Sequence, residues 1–386
     1  MAEASDSVRR AIAASVAAGM RDATALSETI HAHPETAWNE HRAAAWVGDA
    51  IADAGFAVTP SAFGLDTALH ATSGSGSRRV AVMAEYDALP GMGHACGHNL
   101  IAATAVATAA ALARVADELD LTVELFGTPA EEGGGGKIEM LEKGAFDGLD
   151  LAMMAHPGPV DAARARPFAV AHSHISYTGR SAHAAAFPEQ GVNANDAFVV
   201  AQVAIGLLRQ QLGSDSRVHG IMTNGGQAPN AIPGLTEGRW YVRANTLAEL
   251  EILEERVNRC FEAGALATGT TLAIEPESRP YSEFRTEERA VSRFEQHLTA
   301  LGRQLRDPAE SPMNRASTDM GNVSQLVPAI HPYVGIDARG ASNHQPAFAD
   351  ACVGPSAEAM IHDASTALAY TAADFFSSPS AEPGTR

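Results

Sequence analysis

Apolar positions recur at steps of three and four through the N-terminal part of the chain. Ala11, Ile12, Val16, Met20, Leu26 and Ile30 lie on one helical face, and residues 43–54 continue the pattern until Gly55 stops it. The texture then switches to short β-type runs at 56–58 and 79–83, the second ending in a loop over 85–93. Residues 100–112 are almost wholly apolar and alanine-rich, which predicts a helix buried on most sides. Buried strands follow at 121–126, before the loop 127–136, and at 149–155, before a His-Pro-Gly loop. This strand–loop–helix alternation predicts an α/β sheet with its chemistry at the carboxyl ends of the strands.

From residue 170 the order changes. A strand at 170–178, a helix at 193–212, strands at 218–223 and 239–245, a helix at 247–266 and a strand at 271–276 give β-α-β-β-α-β, a split βαβ layout. Helix and strand alternation resumes at 288–301 and 325–336, and a final helix covers residues 355–376 before a Ser/Pro/Gly-rich tail expected to fray. The expected fold class is α/β: a mixed sheet flanked by helices, formed by residues 1–168 and 282–386, with a ferredoxin-like α+β domain, residues 169–281, inserted into it.

Composition narrows the function classes. The 386 residues exceed what one core usually holds, and a net charge of −19 disfavours nucleic acid as a partner. No uninterrupted apolar stretch is long enough to span a bilayer, and the acidic opening residues lack the basic region of a secretory signal. The three cysteines, Cys96, Cys260 and Cys352, make no disulfide framework in so long a chain, so a cytoplasmic location is the default and membranes are not expected partners.

Four strand-end segments concentrate His, Cys and Glu. Cys96-Gly97-His98 places a thiolate and an imidazole where both reach one divalent cation, although alone it reads sooner as a small buried Cys beside helix-capping histidines. Glu131 and Glu132 precede four glycines; one can bind metal while its neighbour acts as general base on an activated water, or the pair is simply solvated. His156-Pro157 and His344 are each, taken singly, ordinary hydrogen-bonded loop residues. Together Cys96, His98, Glu132, His156 and His344 form a ligand set for one or two Zn²⁺-like ions that is far more specific than any member. His31-Ala32-His33 reads as a helix end, and neither a C-x-x-C nor a G-x-S-x-G occurs, which removes zinc deaminase and serine hydrolase chemistry.

Further stretches carry a resemblance. They are His33-Pro34-Glu35 with Glu40, Tyr86-Asp87-Ala88-Leu89-Pro90, His94-Ala95-Cys96-Gly97-His98, Pro129-Ala130-Glu131-Glu132, His156-Pro157, Ser181-Ala182-His183, Asn193, Asn230-Ala231-Ile232-Pro233 and His344. On them the chain resembles the M20 family of metallopeptidases and aminoacylases, in the amidohydrolase branch whose metal site contains a cysteine. Glu85-Tyr86-Asp87 and Ser317-Thr318-Asp319 look closest to a dipeptidase subgroup, peptidase M20 domain-containing protein 2, with aminobenzoyl-glutamate hydrolase subunits as near relatives. The resemblance implies a dinuclear metal site in a catalytic domain and an inserted lid that also dimerises. It implies Cys96, His98, Glu132, His156 and His344 as ligands, Glu131 as base, His183 as an oxyanion-stabilising residue reaching across a homodimer, and Asn230 and Arg243 as binders of a substrate carboxylate. His183 alone would read as a turn residue, and Arg243 as a mid-strand cation paired with a structural carboxylate. Asn99 and Glu85 stand where relatives often carry Asp, which puts the tuning of His98 and the reach of Glu85 in question.

The expected activity is metal-dependent hydrolysis of an amide bond in a small dipeptide or N-acyl amino acid with a free carboxylate. Two divalent ions are the expected cofactors, with zinc favoured by the thiolate and manganese or cobalt open. The alternatives are an N-carbamoyl or aryl-amide hydrolase and a non-catalytic ligand-binding subunit of the same fold.

Overall fold

The structure is a computed structural model that describes residues 3–164, 166–307, 313 and 316–377; the expected fraying of the tail concerns residues that lie, apart from Ser377, outside that set. The chain divides into two compact units, Met1–Arg166 with Phe284–Arg386, and Pro167–Glu283.

In chain order the first unit opens with helices α1 (Asp6–Ala32) and α2 (His41–Asp53), then strands β1 (Ala57–Pro60), β2 (Leu69–Ser73) and β3 (Arg78–Glu85). Helices α3 (His98–Ala113) and α4 (Ala116–Leu119), strand β4 (Leu121–Thr128), helix α5 (Gly136–Glu142) and strands β5 (Leu151–Met153) and β6 (His156–Gly158) follow. The Ser5 side chain accepts the Val8 N–H and caps α1, whose buried face holds Ile12, Val16, Leu26 and Ile30 of the predicted stripe together with Val8, while Ala11 and Met20 are only partly buried. α1 packs on α3, which is buried on nearly every side, as its apolar composition requires.

The second unit holds β7 (Ala169–Thr178), α6 (Ala194–Arg209), β8 (Arg217–Asn224), β9 (Leu235–Ala244), α7 (Leu247–Thr268) and β10 (Thr271–Pro276). Its four strands run in the order β10-β7-β9-β8, all antiparallel to their neighbours, which is the split βαβ layout. Phe198 from α6 and Phe261 from α7 fill its core against Tyr177 and Trp240.

The chain returns to the first unit with α8 (Glu288–Ala300), α9 (Met320–Ser324), β11 (Ala329–Ile330), β12 (Tyr333–Gly335), α10 (Pro346–Ala351) and α11 (Pro355–Ser377). Six strands form one mixed sheet, β1-β2-β4-β3-β5-β11, in which β4, β3, β5 and β11 are parallel and β2 and β1 antiparallel additions. β2, α4, α5, α9 and α10 have no counterpart in the sequence expectations. The His-Pro-Gly segment, expected as a loop, is β6, because it pairs in parallel with β12. Arg243, expected mid-strand, is the penultimate residue of β9.

Candidate metal centre

Segments at the carboxyl ends of the parallel strands deliver the chemistry, all within the first unit. β3 ends at Glu85 and leads to Asp87; β4 ends at Thr128 and leads to Glu131 and Glu132. His98 is the first residue of α3, and Gly97 before it adopts a left-handed φ of 82°. A β-carbon on Gly97 would lie 2.5 Å from Pro157 Cγ, so only glycine lets the helix start this close to His156. The His344 N–H donates to the Ala95 carbonyl (2.8 Å), which ties that loop to the one carrying Cys96.

The five expected ligands come together as two trios that share Cys96. Cys96, His98 and His156 offer ligand atoms within 4.8 Å of one another, and so do Cys96, Glu132 and His344. Cys96 Sγ lies 3.6 Å from His156 Nε2, and Glu132 Oε1 lies 3.4 Å from His344 Nε2. Ligands at about 2.1 Å (N, O) and 2.3 Å (S) from one tetrahedral ion are separated by roughly 3.4 to 3.6 Å, so the spacing suits a zinc-like cation. His98 Nε2 and Glu132 Oε1 are buried and have no hydrogen-bond partner among the described residues, a costly state that a bound cation would relieve. The residues present therefore fit divalent metal.

Asp87 organises the set. Its Oδ1 is 3.0 Å from His98 Nδ1 and its Oδ2 accepts the Glu132 N–H at 3.0 Å, so one carboxylate orients a ligand imidazole and the backbone of a second ligand. Glu131 Oε2 lies 3.8 Å from His98 Nε2, beside the ligands. Behind them Glu40 Oε1 accepts the Ala130 N–H at 2.8 Å and holds Ala130 at a left-handed φ of 56° immediately before the glutamate pair.

Electrostatics follow from burial and crowding. Burial pushes the Cys96 thiol well up, and Glu132 adds to it. Burial alone would depress His98, but Asp87 and Cys96 raise it well above the usual imidazole range. Burial takes His156 down to about 3, with His331 and His98 acting the same way. Burial opposes ionisation of Glu132, yet its close ion-pair contact with His344 brings it to about 2. Glu131 is pushed well above the carboxylate range by burial, then by Glu85 and Glu132. A cation favours thiolate and neutral imidazole, so metal uptake by Cys96 and His98 displaces protons.

Sequence reasoning missed several residues here. Glu85 was met only as a departure and Asp319 only inside a matching stretch, while Lys137 drew no notice; all three are fully buried and form one ion-paired chain at the edge of the centre. His331 is a buried imidazole beside His156, with ring centroids 5.6 Å apart. A Lys directly after a glycine run, leaving a strand-end loop that carries carboxylates, is the one local signal that could have drawn attention to Lys137. Asn99 makes its side-chain contacts elsewhere: its Nδ2 donates to Ser27 Oγ and to the Cys352 carbonyl.

His183, Asn230 and Arg243 lie in the second unit. His183 is exposed, its Nδ1 accepts the Ala186 N–H at 3.2 Å, and its segment bridges Ala231, which sets it beside Asn230. Arg243 Nε donates to His219 Nε2 at 3.3 Å.

Comparison with known proteins agrees with this architecture. Residues 81–363 match the model of Peptidase family M20/M25/M40. The Xaa-Arg dipeptidase of Mus musculus is 42% identical over 380 residues, covering 94% of this chain and 87% of that protein. A p-aminobenzoyl-glutamate hydrolase subunit of Escherichia coli (strain K12) is 32% identical over 270 residues, covering 64% of this chain and 56% of that protein. The crystal structure of the Bacillus subtilis YXEP protein, described as a dinuclear metal binding peptidase from the M20 family, superposes with a TM-score of 0.70 at 21% identity, covering 93% of this chain and 99% of that one.

Proposed function

The chain belongs to peptidase family M20/M25/M40, and on that premise we propose that it hydrolyses the amide bond of a small dipeptide or N-acyl amino acid bearing a free carboxylate. The observation that carries the proposal is the pair of donor trios sharing Cys96, with Glu131 beside them as a carboxylate outside both. Cys96, His98, Glu132, His156 and His344 are the ligands of two divalent ions, zinc by preference for the thiolate, with manganese or cobalt as alternatives. When bound, the ions supply positive charge that acidifies a water and polarises the scissile carbonyl.

Glu131 takes the proton of the attacking water and passes it to the leaving amine. Burial, then the charges of Glu85 and Glu132, raise its proton affinity well above that of an ordinary carboxyl, the direction a proton-shuttling carboxyl needs. Asp87 keeps the His98 ring fixed, and Glu40 keeps the Glu131 backbone in place through Ala130. His183 stabilises the oxyanion, and Asn230 and Arg243 receive the substrate carboxylate. The substrate class is supported by the names of the mouse and Escherichia coli relatives, one a dipeptidase and the other part of a p-aminobenzoyl-glutamate hydrolase.

Residues 169–281 act in this proposal as the lid and dimerisation domain of a homodimer. Val199, Val203 and Leu207 lie exposed along one face of α6, and Ile221 lies exposed on the edge strand β8, which supports a partner surface. Among the described residues no helix is long and apolar enough to cross a membrane. A cytoplasmic location belongs to the same proposal, in keeping with three cysteines that form no disulfide.

The test is a panel of dipeptides, N-acyl amino acids and N-carbamoyl amino acids offered to protein stripped with chelator and reconstituted with Zn²⁺, Mn²⁺ or Co²⁺. Turnover of the carboxylate-bearing amides that disappears on stripping and returns with metal is expected. No turnover of any member by any reconstituted form would overturn the proposal.

A further inference from the structure

Buried acidic side chains crowd the edge of the centre. Glu85, Asp87, Glu131 and Asp319 are all fully buried or nearly so, and Lys137 is the fully buried lysine among them. Lys137 Nζ lies 2.7 Å from Asp319 Oδ1, while Asp319 Oδ2 accepts the Lys137 N–H at 2.9 Å, so both Asp319 oxygens are engaged by this one residue. Glu85 also contacts Lys137, but only through Oε1. Its Oε2 is buried, has no hydrogen-bond partner among the described residues, and lies 3.5 Å from His98 Nε2, which has none either.

Two buried ligand atoms that face one another at 3.5 Å without a hydrogen bond between them are poorly explained by packing. That separation is what two donors about 2.1 Å from a shared cation adopt near the tetrahedral angle. Glu85, His98 and Glu131 also offer atoms within 4.8 Å of one another.

We propose that Glu85 is a sixth protein ligand of the centre, giving Oε2 to the cation held by His98, and that Lys137 and Asp319 are positioning residues that fix its other oxygen. The inference rests on the proposed metal-dependent function and deepens it. A carboxylate with one oxygen pinned by a buried ammonium has little rotational freedom left, so its free oxygen is presented to the cation in advance. The glycine run makes the pinning feasible: a β-carbon on Gly136 would sit 2.0 Å from the Pro129 carbonyl oxygen, so the chain turns this tightly into α5 only with glycine there, and Lys137 follows immediately.

The experiment compares the full-length protein with Glu85→Gln, Glu85→Asp, Lys137→Met and Cys96→Ala, reading Zn²⁺ content by elemental analysis, affinity by competition with a chromophoric chelator, and the visible spectrum of the Co²⁺-substituted forms. Glu85→Gln removes the charge; Glu85→Asp keeps the charge that pairs with Lys137 but withdraws the oxygen by one methylene. Both are expected to weaken one of the two ions at least about tenfold and to intensify the cobalt bands as one ligand is lost. Lys137→Met should weaken the same ion, and combining it with Glu85→Gln should add little, because the two act through one oxygen atom. Unchanged affinity and an unchanged cobalt spectrum in Glu85→Asp would overturn the inference and leave Glu85 as a counter-charge. Cys96→Ala separates the two levels: if it loses metal while the Glu85 variants do not, the proposed function stands and only this inference falls. If Cys96→Ala also keeps both ions, the proposed centre itself falls.

Discussion

Replacing Glu40 by Gln should stabilise the metal-free protein, and by an amount that grows with pH. Glu40 is fully buried at the start of α2, and burial, followed by the nearby charge of Asp87, raises its carboxyl to about 7 from an ordinary 4.5. Below pH 4.5 the group is protonated in both folded and unfolded chains and contributes no difference. Between 4.5 and 7 the unfolded chain releases its proton while the folded chain retains it, so stability falls as pH rises through this window and levels off above it. A rise of this size corresponds to about 3 kcal/mol at the plateau, since each tenfold gain in proton affinity is worth about 1.4 kcal/mol.

Gln is nearly isosteric, carries no charge at any pH and keeps an oxygen for the Ala130 N–H. The assay is denaturant unfolding of chelator-treated wild type and Glu40→Gln from pH 4.5 to pH 8, followed by a probe of the first unit. The two should nearly coincide at the acid end and separate to about 3 kcal/mol at the alkaline end. A gap independent of pH, or a variant less stable than wild type at pH 8, would refute the assignment of a penalised buried carboxylate. The companion Glu40→Ala removes the acceptor as well as the charge, frees Ala130 from its left-handed φ of 56°, and should lower turnover through the displaced Glu131.

Three further outcomes follow from particular contacts. Glu131→Gln should retain both metals by elemental analysis yet lose turnover by a factor of about 100 or more, and near-normal turnover would remove Glu131 from the role of base. Gly97→Ala brings a β-carbon within 2.5 Å of Pro157 Cγ and 3.1 Å of Cys352 Sγ at a φ of 82°, so it should cost more than about 1 kcal/mol in unfolding measurements and lower metal content. Asp374, buried in α11, accepts the Ala4 N–H and pairs with Arg9 and His297, which outweigh its burial and hold its carboxyl below the usual range. That stability is present above the unfolded value near pH 4 and is lost as pH falls through the folded value. Asp374→Asn should therefore cost on the order of 2 kcal/mol at pH 7 and flatten the acid limb of the melting-temperature profile.

The amphipathic stripe of α1, the all-apolar α3 and the β-α-β-β-α-β order of the second unit are legible because side-chain burial there follows a local period. β6 is not, since three residues become a strand only by pairing with β12, more than 170 positions along the chain. The same distinction runs through the centre. Cys96, His98, Glu132, His156 and His344 could be picked out because thiol, imidazole and paired carboxylates in strand-end loops have few other uses.

Glu85, Lys137 and Asp319 could not, because in sequence each is one more charge among 46 acidic and 27 basic positions, and only the glycine run before Lys137 is a local hint. Their meaning arises from the sheet. Parallel pairing of β3 with β4 brings Glu85 level with Thr128, so the loops that follow both strands leave at one height, and Lys137 meets Asp319 across 182 positions. Asn99 makes the converse point. Its place beside His98 suggested that an amide in place of a carboxylate would retune that ligand, yet its amide spans Ser27 and the Cys352 carbonyl and anchors the start of α3 to α1 and to the segment after α10. The carboxylate that orients His98 is Asp87, eleven positions earlier and on a different element, so the departure at Asn99 bears on how α3 is seated rather than on the basicity of its first residue.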